Sequence, residues 1–205
     1  TVPLARFVTM NSQLKMPVKR YQIGSVFRDG PLKTGRYREF TQCDVDVVGV
    51  KNIEADAEMI AIAERVFRKL KLDTVIKVNN RKILDRLLEV CKAPKLRCDE
   101  ILLSLDKLEK IGMEGVRAEL NEKGIRDATI QHLFEIVLVE GTNKEKLQML
   151  WKVLGECEGL TEMEKVLSLS GKNVEFDPCL ARGLAYYTGT VFEVYLRDKS
   201  ITSSL

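Results

Sequence analysis

Histidine is nearly missing from this chain: there is one, His132, inside a run that reads as helix from Ile130 to Val139. A lone helical histidine is usually structural or solvated, so histidine-based triads and histidine metal clusters are excluded as leading readings. Long apolar runs are missing too, and none approaches the roughly 18 residues that a membrane helix needs. The first residues, Thr1-Val2-Pro3-Leu4-Ala5-Arg6, lack a basic start followed by an apolar run and a small-residue cleavage site, so they do not read as a signal peptide. The chain begins without methionine, which reads as an internal cut or a processed end. Its five cysteines (Cys43, Cys91, Cys98, Cys157 and Cys179) are odd in number, with no pair at CxxC spacing. That pattern predicts reduced thiols in a cytoplasmic protein, with neither a zinc site nor a disulfide framework. There is no GxGxxG, GxSxG or HExxH string, which removes the common dinucleotide-binding, serine-hydrolase and zinc-protease readings. Gly30 to Tyr37 is a near miss to the phosphate-binding P-loop. Arg36 and Tyr37 stand where that loop needs Lys and Ser or Thr, and the segment joins two strands instead of a strand and a helix.

What is present fits a packed globular chain. Of the 205 residues, 45% are apolar and 31% charged, enough for one large or two small domains. The net charge of +3 permits a nucleic-acid partner without requiring one. Pro3 to Asn11 reads as an apolar helix. Lys19 to Arg28 alternates, with Tyr21, Ile23, Ser25 and Phe27 on one face, and reads as a strand. Arg36 to Val48 is extended again, so an antiparallel pair with a long loop is expected. Ile53 to Leu70 repeats apolar residues at helical steps (Met59, Ile60, Ala63, Val66, Phe67, Leu70). Thr74 to Val78 reads as a short strand, and every strong segment from about Lys82 to Leu169 reads as helix. Strand character returns at Val174 to Asp177 and Tyr186 to Leu196. Strands, a helical block, then strands again predict a helical insertion within an α+β sheet domain.

Three constellations carry candidate chemistry. Arg28, Lys33, Arg36 and Arg38 lie within eleven positions near a hairpin tip, with Phe40 close by. Guanidinium forks match phosphate oxygens, and a phenyl face can stack on a base. The same segment is also compatible with a solvated charged hairpin. On the next strand Gln42, Asp44 and Asp46 share a face. A polar face of this kind is costly to bury without a partner, and it suits an ammonium or imidazole group, or simply solvent. Finally, Leu180-Ala-Arg182-Gly183-Leu184-Ala185-Tyr186-Tyr187-Thr188-Gly189-Thr190-Val191-Phe192-Glu193 places an arginine and two tyrosines just before a strand, where charge and hydroxyls can meet a polar ligand. A tyrosine-rich strand entry into a core is the plainer alternative.

These segments together resemble the histidyl-tRNA synthetases, a family of class II aminoacyl-tRNA synthetases. Arg28 through Asp46 resembles motif 2 of that class, Leu180 through Glu193 resembles the histidine-specific signature, and Thr1 to Arg6 resembles the segment with the first histidine contacts. The resemblance implies an antiparallel class II sheet flanked by helices, in an α+β fold with an all-helical insertion domain. It divides the chain into a first part of the catalytic core (1–81, motif 2 at 20–49), the insertion domain (82–169) and a second part of the core (170–205). It implies that Arg28 and Arg182 are catalytic, gripping and stabilising the α-phosphate. Arg36 joins Arg28 at ATP, and Phe40 stacks on adenine. Thr1, Gln42, Asp46, Tyr186 and Tyr187 bind histidine, with Asp46 and Tyr187 reading the imidazole. ATP and Mg²⁺ are the implied cofactors, with no metal ligands from the chain. L-histidine and tRNA(His) are the implied partners, in a cytoplasmic homodimer with no membrane role.

The resemblance further implies that the insertion leans on the tRNA acceptor stem, with Lys92, Lys95, Arg97, Lys107 and Lys110 as phosphate contacts. Ala185 departs from the aspartate common in the family. Motif 3, the dimer motif and the anticodon-binding domain are expected to lie outside this chain, which on that reading is inactive alone. Two rivals remain in view: a non-catalytic paralogue, such as a regulatory subunit of histidine biosynthesis or a sensor domain, and an RNA-binding helical module.

Overall fold

A computed structural model describes residues 2–30, 32, 37–182, 187–198, 200 and 204. The chain divides into two compact units, residues 1–55 and 56–205.

The first unit holds helix α1 (Val2–Met10) and an antiparallel hairpin of β1 (Val18–Phe27) and β2 (Glu39–Val48). Its register runs from Val18 opposite Val48 to Phe27 opposite Glu39. Because strand side chains alternate, one face collects Arg20, Gln22, Phe40, Gln42, Asp44 and Asp46. The other collects Tyr21, Ile23, Phe27, Cys43 and Val45. The second extended run starts at Glu39 instead of Arg36, which itself lies outside the described residues.

The second unit opens in the first turn of α2 (Glu54–Lys69), whose Ala57 and Ile60 are buried and whose last-turn Arg68 and Lys69 suit the negative end of the helix dipole. Strand β3 (Thr74–Asn80) leads straight into α3 (Arg81–Val90), capped by the Asn80 side chain, which accepts from Lys82 N at 2.9 Å. A 3-10 turn at Lys95–Arg97 and helices α4 (Cys98–Leu105) and α5 (Leu108–Glu122) follow, and α5 is broken at Gly112 (φ 70°). Then come α6 (Asp127–Val137), α7 (Asn143–Leu154) and α8 (Glu158–Leu169). Helix α7 starts with a reciprocal cap: Glu145 N donates to Thr142 Oγ1 and Thr142 N to Glu145 Oε2. Strands β4 (Val174–Phe176) and β5 (Thr190–Leu196) flank β3 in the order β4-β3-β5.

The α+β class is as expected, with two corrections. The strands form two separate sheets among the described residues, and the three-stranded one is mixed, because β4 runs parallel to β3 while β5 is antiparallel. The helices after β3 do not stand apart as a projecting lobe. They belong to one compact unit with the sheet, since α3 and α8 pack on β3, α8 on β5 and α7 on β4. The cause is the core itself: Ile76, Val78 and Phe176 from the sheet and Ile83, Leu87, Leu150, Leu160, Met163 and Val166 from the helices are all fully buried. Apolar surface on both elements can leave water only by sharing one interior. None of the helices among the described residues is long and apolar enough to cross a membrane.

Candidate functional site

On the hairpin, the predicted polar face is real, and it contains one residue that the sequence did not single out. Arg20 Nη2 lies 2.7 Å from Asp46 Oδ2, and Arg20 Nη1 donates to Gln22 Oε1 at 2.5 Å. Gln42 Nε2 donates to Asp44 Oδ1 at 2.5 Å. The row is therefore a chain of partially solvated polar pairs, with Gln42 exposed and Asp44 and Asp46 half-buried. Arg20 Nε has no partner of its own, so the Arg20–Asp46 pair retains unused hydrogen-bonding capacity. Near the tip, Arg28 N donates to Arg38 O at 2.8 Å, extending the ladder past Phe27. The Arg28 guanidinium lies over the Phe40 ring, 4.1 Å from its centroid. Phe40 was expected to offer its face to adenine, whereas here Arg28 stacks on it, a contact worth about 0.5–1 kcal/mol at an exposed site. Thr1, Lys33 and Arg36 lie outside the described residues.

The segment carrying Arg182 is positioned from below. Asn79, at the end of β3 and fully buried, donates Nδ2 to Pro178 O at 3.2 Å and to Leu180 O at 3.0 Å. These bonds peg the backbone two residues before Arg182. The adjacent Asn80 donates to Glu162 on α8 at 2.7 Å, locking the strand end to a helix. Arg81 N then donates to Gly189 O at 2.8 Å, which fixes where the returning chain enters β5. The expected strand from Tyr186 accordingly starts at Thr190. Arg182 and Tyr187 border one small crevice with Arg81, Leu84, Leu102 and Val191. Tyr186 lies outside the described residues.

Arg182 also stands at the edge of a cleft of about 510 Å³, lined by Asp106, Glu109 and Lys110 from the helical stretch and by Asp177, Cys179, Glu193 and Tyr195 from the sheet side. Its guanidinium pairs with Glu193, whose side chain is 12% exposed. Tyr195 donates its hydroxyl to Glu193 as well. Lys77 pairs with two of these lining carboxylates, Glu109 and, at 2.9 Å, Asp177, and it sits 5.2 Å from the Tyr195 ring centroid. Burial alone would lower the Lys77 pKa, but its two carboxylate partners outweigh that and the net shift is upward. Burial pushes the Tyr195 phenol up to about 12, with Glu109 and Asp177 adding to the effect, so it remains a donor. Burial likewise raises Asp106, against the pull of Lys110 and Arg182. A cleft with cations and carboxylates interleaved can orient a ligand that itself carries both signs of charge.

The expected phosphate contacts of the helical stretch differ in kind. Lys107 Nζ sits 2.8 Å from both carboxylate oxygens of Glu119, Arg97 pairs with Glu100 at 3.6 Å, and Lys110 lines the cleft. Lys92 and Lys95 are exposed. Among the described residues no three His, Cys, Asp or Glu side chains are grouped to hold a metal.

Comparison with known proteins places this fold first among the aminoacyl-tRNA synthetases. The whole chain superposes on half of the crystal structure of histidyl-tRNA synthetase from Nostoc sp. PCC 7120, with a TM-score of 0.88 and 34% identity. It is 43% identical to histidine–tRNA ligase 1 of Bacillus cereus, over 100% of this chain and 50% of that protein. The model of the family described as histidyl-tRNA synthetase matches residues 1–202, and the chain belongs to the histidyl-tRNA synthetase family. It spans about half the length of the curated relatives it matches. The fold, though not more than the fold, is also shared with an ATP phosphoribosyltransferase regulatory subunit/histidyl-tRNA synthetase from Bacillus halodurans (TM-score 0.81, 22% identity, all of this chain and 54% of that one).

Proposed function

We propose that the full-length protein is a cytoplasmic histidine–tRNA ligase that joins histidine to tRNA(His) in two steps. The observation that carries this reading is the seat of Arg182 beside Tyr187, pegged by Asn79, in a chain whose family is that of the histidyl-tRNA synthetases. In the first step an oxygen of the histidine carboxylate attacks the α-phosphorus of ATP. The bond from that phosphorus to the bridging oxygen breaks, and pyrophosphate leaves. Negative charge grows on the phosphoryl oxygens, and Arg28 and Arg182 stabilise it more in the transition state than in the ground state. In the second step the terminal ribose hydroxyl of tRNA attacks the activated carbonyl and AMP departs.

The same reading assigns Gln42 and Thr1 to the amino-acid backbone groups, and Asp46, Tyr187 and Tyr186 to the imidazole. A ligand lacking the ring nitrogens would forgo its hydrogen bonds to the Asp46 carboxylate and the phenol, and that loss is the filter. For Asp46 this means that imidazole enters a carboxylate already shared with Arg20. Arg36 joins Arg28 at ATP, and adenine takes the ring face of Phe40 once Arg28 has turned to phosphate. Mg²⁺ would be supplied together with ATP and would neutralise phosphate charge there. The 82–169 stretch meets the acceptor stem chiefly through Lys92 and Lys95, and the protein acts as a homodimer.

Calorimetric titration tests the pocket. The full-length protein is expected to bind histidine, and Asp46→Ala and Tyr187→Phe are expected to weaken that binding while leaving ATP binding in place. Histidine affinity unchanged in both variants would remove these residues from the pocket. A regulatory paralogue would bind histidine yet show no adenylate formation.

A further inference from the structure

We propose that Glu193 is a positioning residue for Arg182 in adenylate formation, its carboxylate holding the guanidinium at the edge of the cleft. This inference rests on the ligase reading above. Sequence alone makes Glu193 the one charged residue in a largely apolar strand, Thr190-Val-Phe-Glu-Val-Tyr-Leu196. The fold gives it a task. Strand alternation puts Glu193 on the same face as Tyr195 and, through the β3–β5 pairing, directly across from Lys77. Its side chain is 12% exposed, against 35% for Arg182, so the acid is the fixed partner and the base the presented one.

Three groups converge on that one carboxylate. The Arg182 guanidinium meets Oε1, the Ser204 hydroxyl approaches Oε1 at 3.3 Å, and the Tyr195 hydroxyl donates to Oε2. With the phenol raised to about 12 by burial, that last donor persists across the working pH range. A long arginine side chain has many rotamers open to it. A guanidinium left free would spend much of its time away from the phosphorus. Held by Glu193, it is oriented before ATP arrives, and preorganised charge is what stabilises the transition state. Glu193 itself is not required to touch substrate.

A double-mutant cycle in the full-length protein tests this, read by histidine-dependent exchange of pyrophosphate into ATP. Glu193→Gln, which keeps shape and loses charge, is expected to lower kcat by about tenfold while KM for histidine changes less than about twofold, as for an interaction made in the transition state. Glu193→Asp is expected to recover part of the loss. Arg182→Ala is expected to cost about 10²–10³ in rate. Adding Glu193→Gln to Arg182→Ala is expected to cost nothing more, because the acid acts through the base. Circular dichroism confirms that each variant folds. Independent, multiplicative losses in the double variant would overturn the proposal and leave the ligase reading intact. A wild-type protein without histidine-dependent exchange would overturn both.

Discussion

Replacing Asn79 by alanine probes the link between core and site without touching any ligand. Asn79 is fully buried, and three backbone groups depend on it: the carbonyls of Pro178 and Leu180, and Asn80 N, which donates to Asn79 Oδ1 at 2.8 Å. Pro178 and Leu180 are buried as well. Each buried polar group left without a partner costs about 1–3 kcal/mol. Carbonyls have a second lone pair, and the space left by the amide can admit one water. We therefore expect a total loss of about 2–4 kcal/mol, below the sum of three full penalties. Urea unfolding followed by circular dichroism measures this as a lower midpoint at an unchanged slope. Because the lost bonds peg the chain two residues before Arg182, pyrophosphate exchange is expected to fall as well, although Asn79 contacts no substrate. A loss below about 0.5 kcal/mol, the level of an ordinary surface change, would refute the claim that Asn79 holds this segment.

Three further outcomes follow from other parts of the molecule. In α8, a Cβ at Gly159 would stand 2.8 Å from Ile83 N, so Gly159→Ala is expected to force α3 and α8 apart, at about 1–3 kcal/mol in the same urea assay. The Glu119 carboxyl is drawn down from an ordinary 4.5 to about 2 by its bonds to Lys107 and Lys123. A depressed folded pKa gives stability that is present above the unfolded value and lost as pH falls, so the stability difference between wild type and Glu119→Gln is expected to shrink between pH 4.5 and 2, read from thermal midpoints. Burial pushes the thiols of Cys91 to about 11 and Cys179 to about 12, whereas Cys43 is exposed. Alkylation at pH 8 followed by mass spectrometry is expected to label Cys43 first, Cys179 in the cleft far more slowly, and Cys91 only on unfolding.

Much of the architecture was legible because periodicity is a local signal. The apolar spacing from Met59 to Leu70 places α2 within a residue at each end, and the alternation from Lys19 places β1 equally well. Misses arise where side chains outvote propensity. Asn79 and Asn80 are poor strand formers by composition, yet β3 includes both, because their amides serve a buried peg and a helix cap. The aromatic run at Tyr186 and Tyr187 reads as strand, but β5 begins only at Thr190, just after Gly189 O is taken up by Arg81 N. A helical stretch between strands reads as a separate domain until the burial of Leu150, Met163 and Val166 in the same unit as Phe176 shows a single interior. The same holds at the site. Gln42, Asp44 and Asp46 were visible as a polar strand face, whereas Arg20 was hidden in the other strand until register put it across from Asp46. Glu193 depends on a partner eleven residues away. Pairing of this kind is a property of the tertiary fold and leaves no local trace.

The central claim is that the Arg182 segment belongs to a histidine-activating centre. The most direct measurement is exchange of labelled pyrophosphate into ATP by the full-length protein, run with histidine and with each of the other amino acids, in wild type and in Arg182→Ala. The account predicts exchange with histidine only, reduced about 10²–10³-fold by the substitution. Exchange that is absent with histidine, or that survives unchanged in Arg182→Ala, would contradict it.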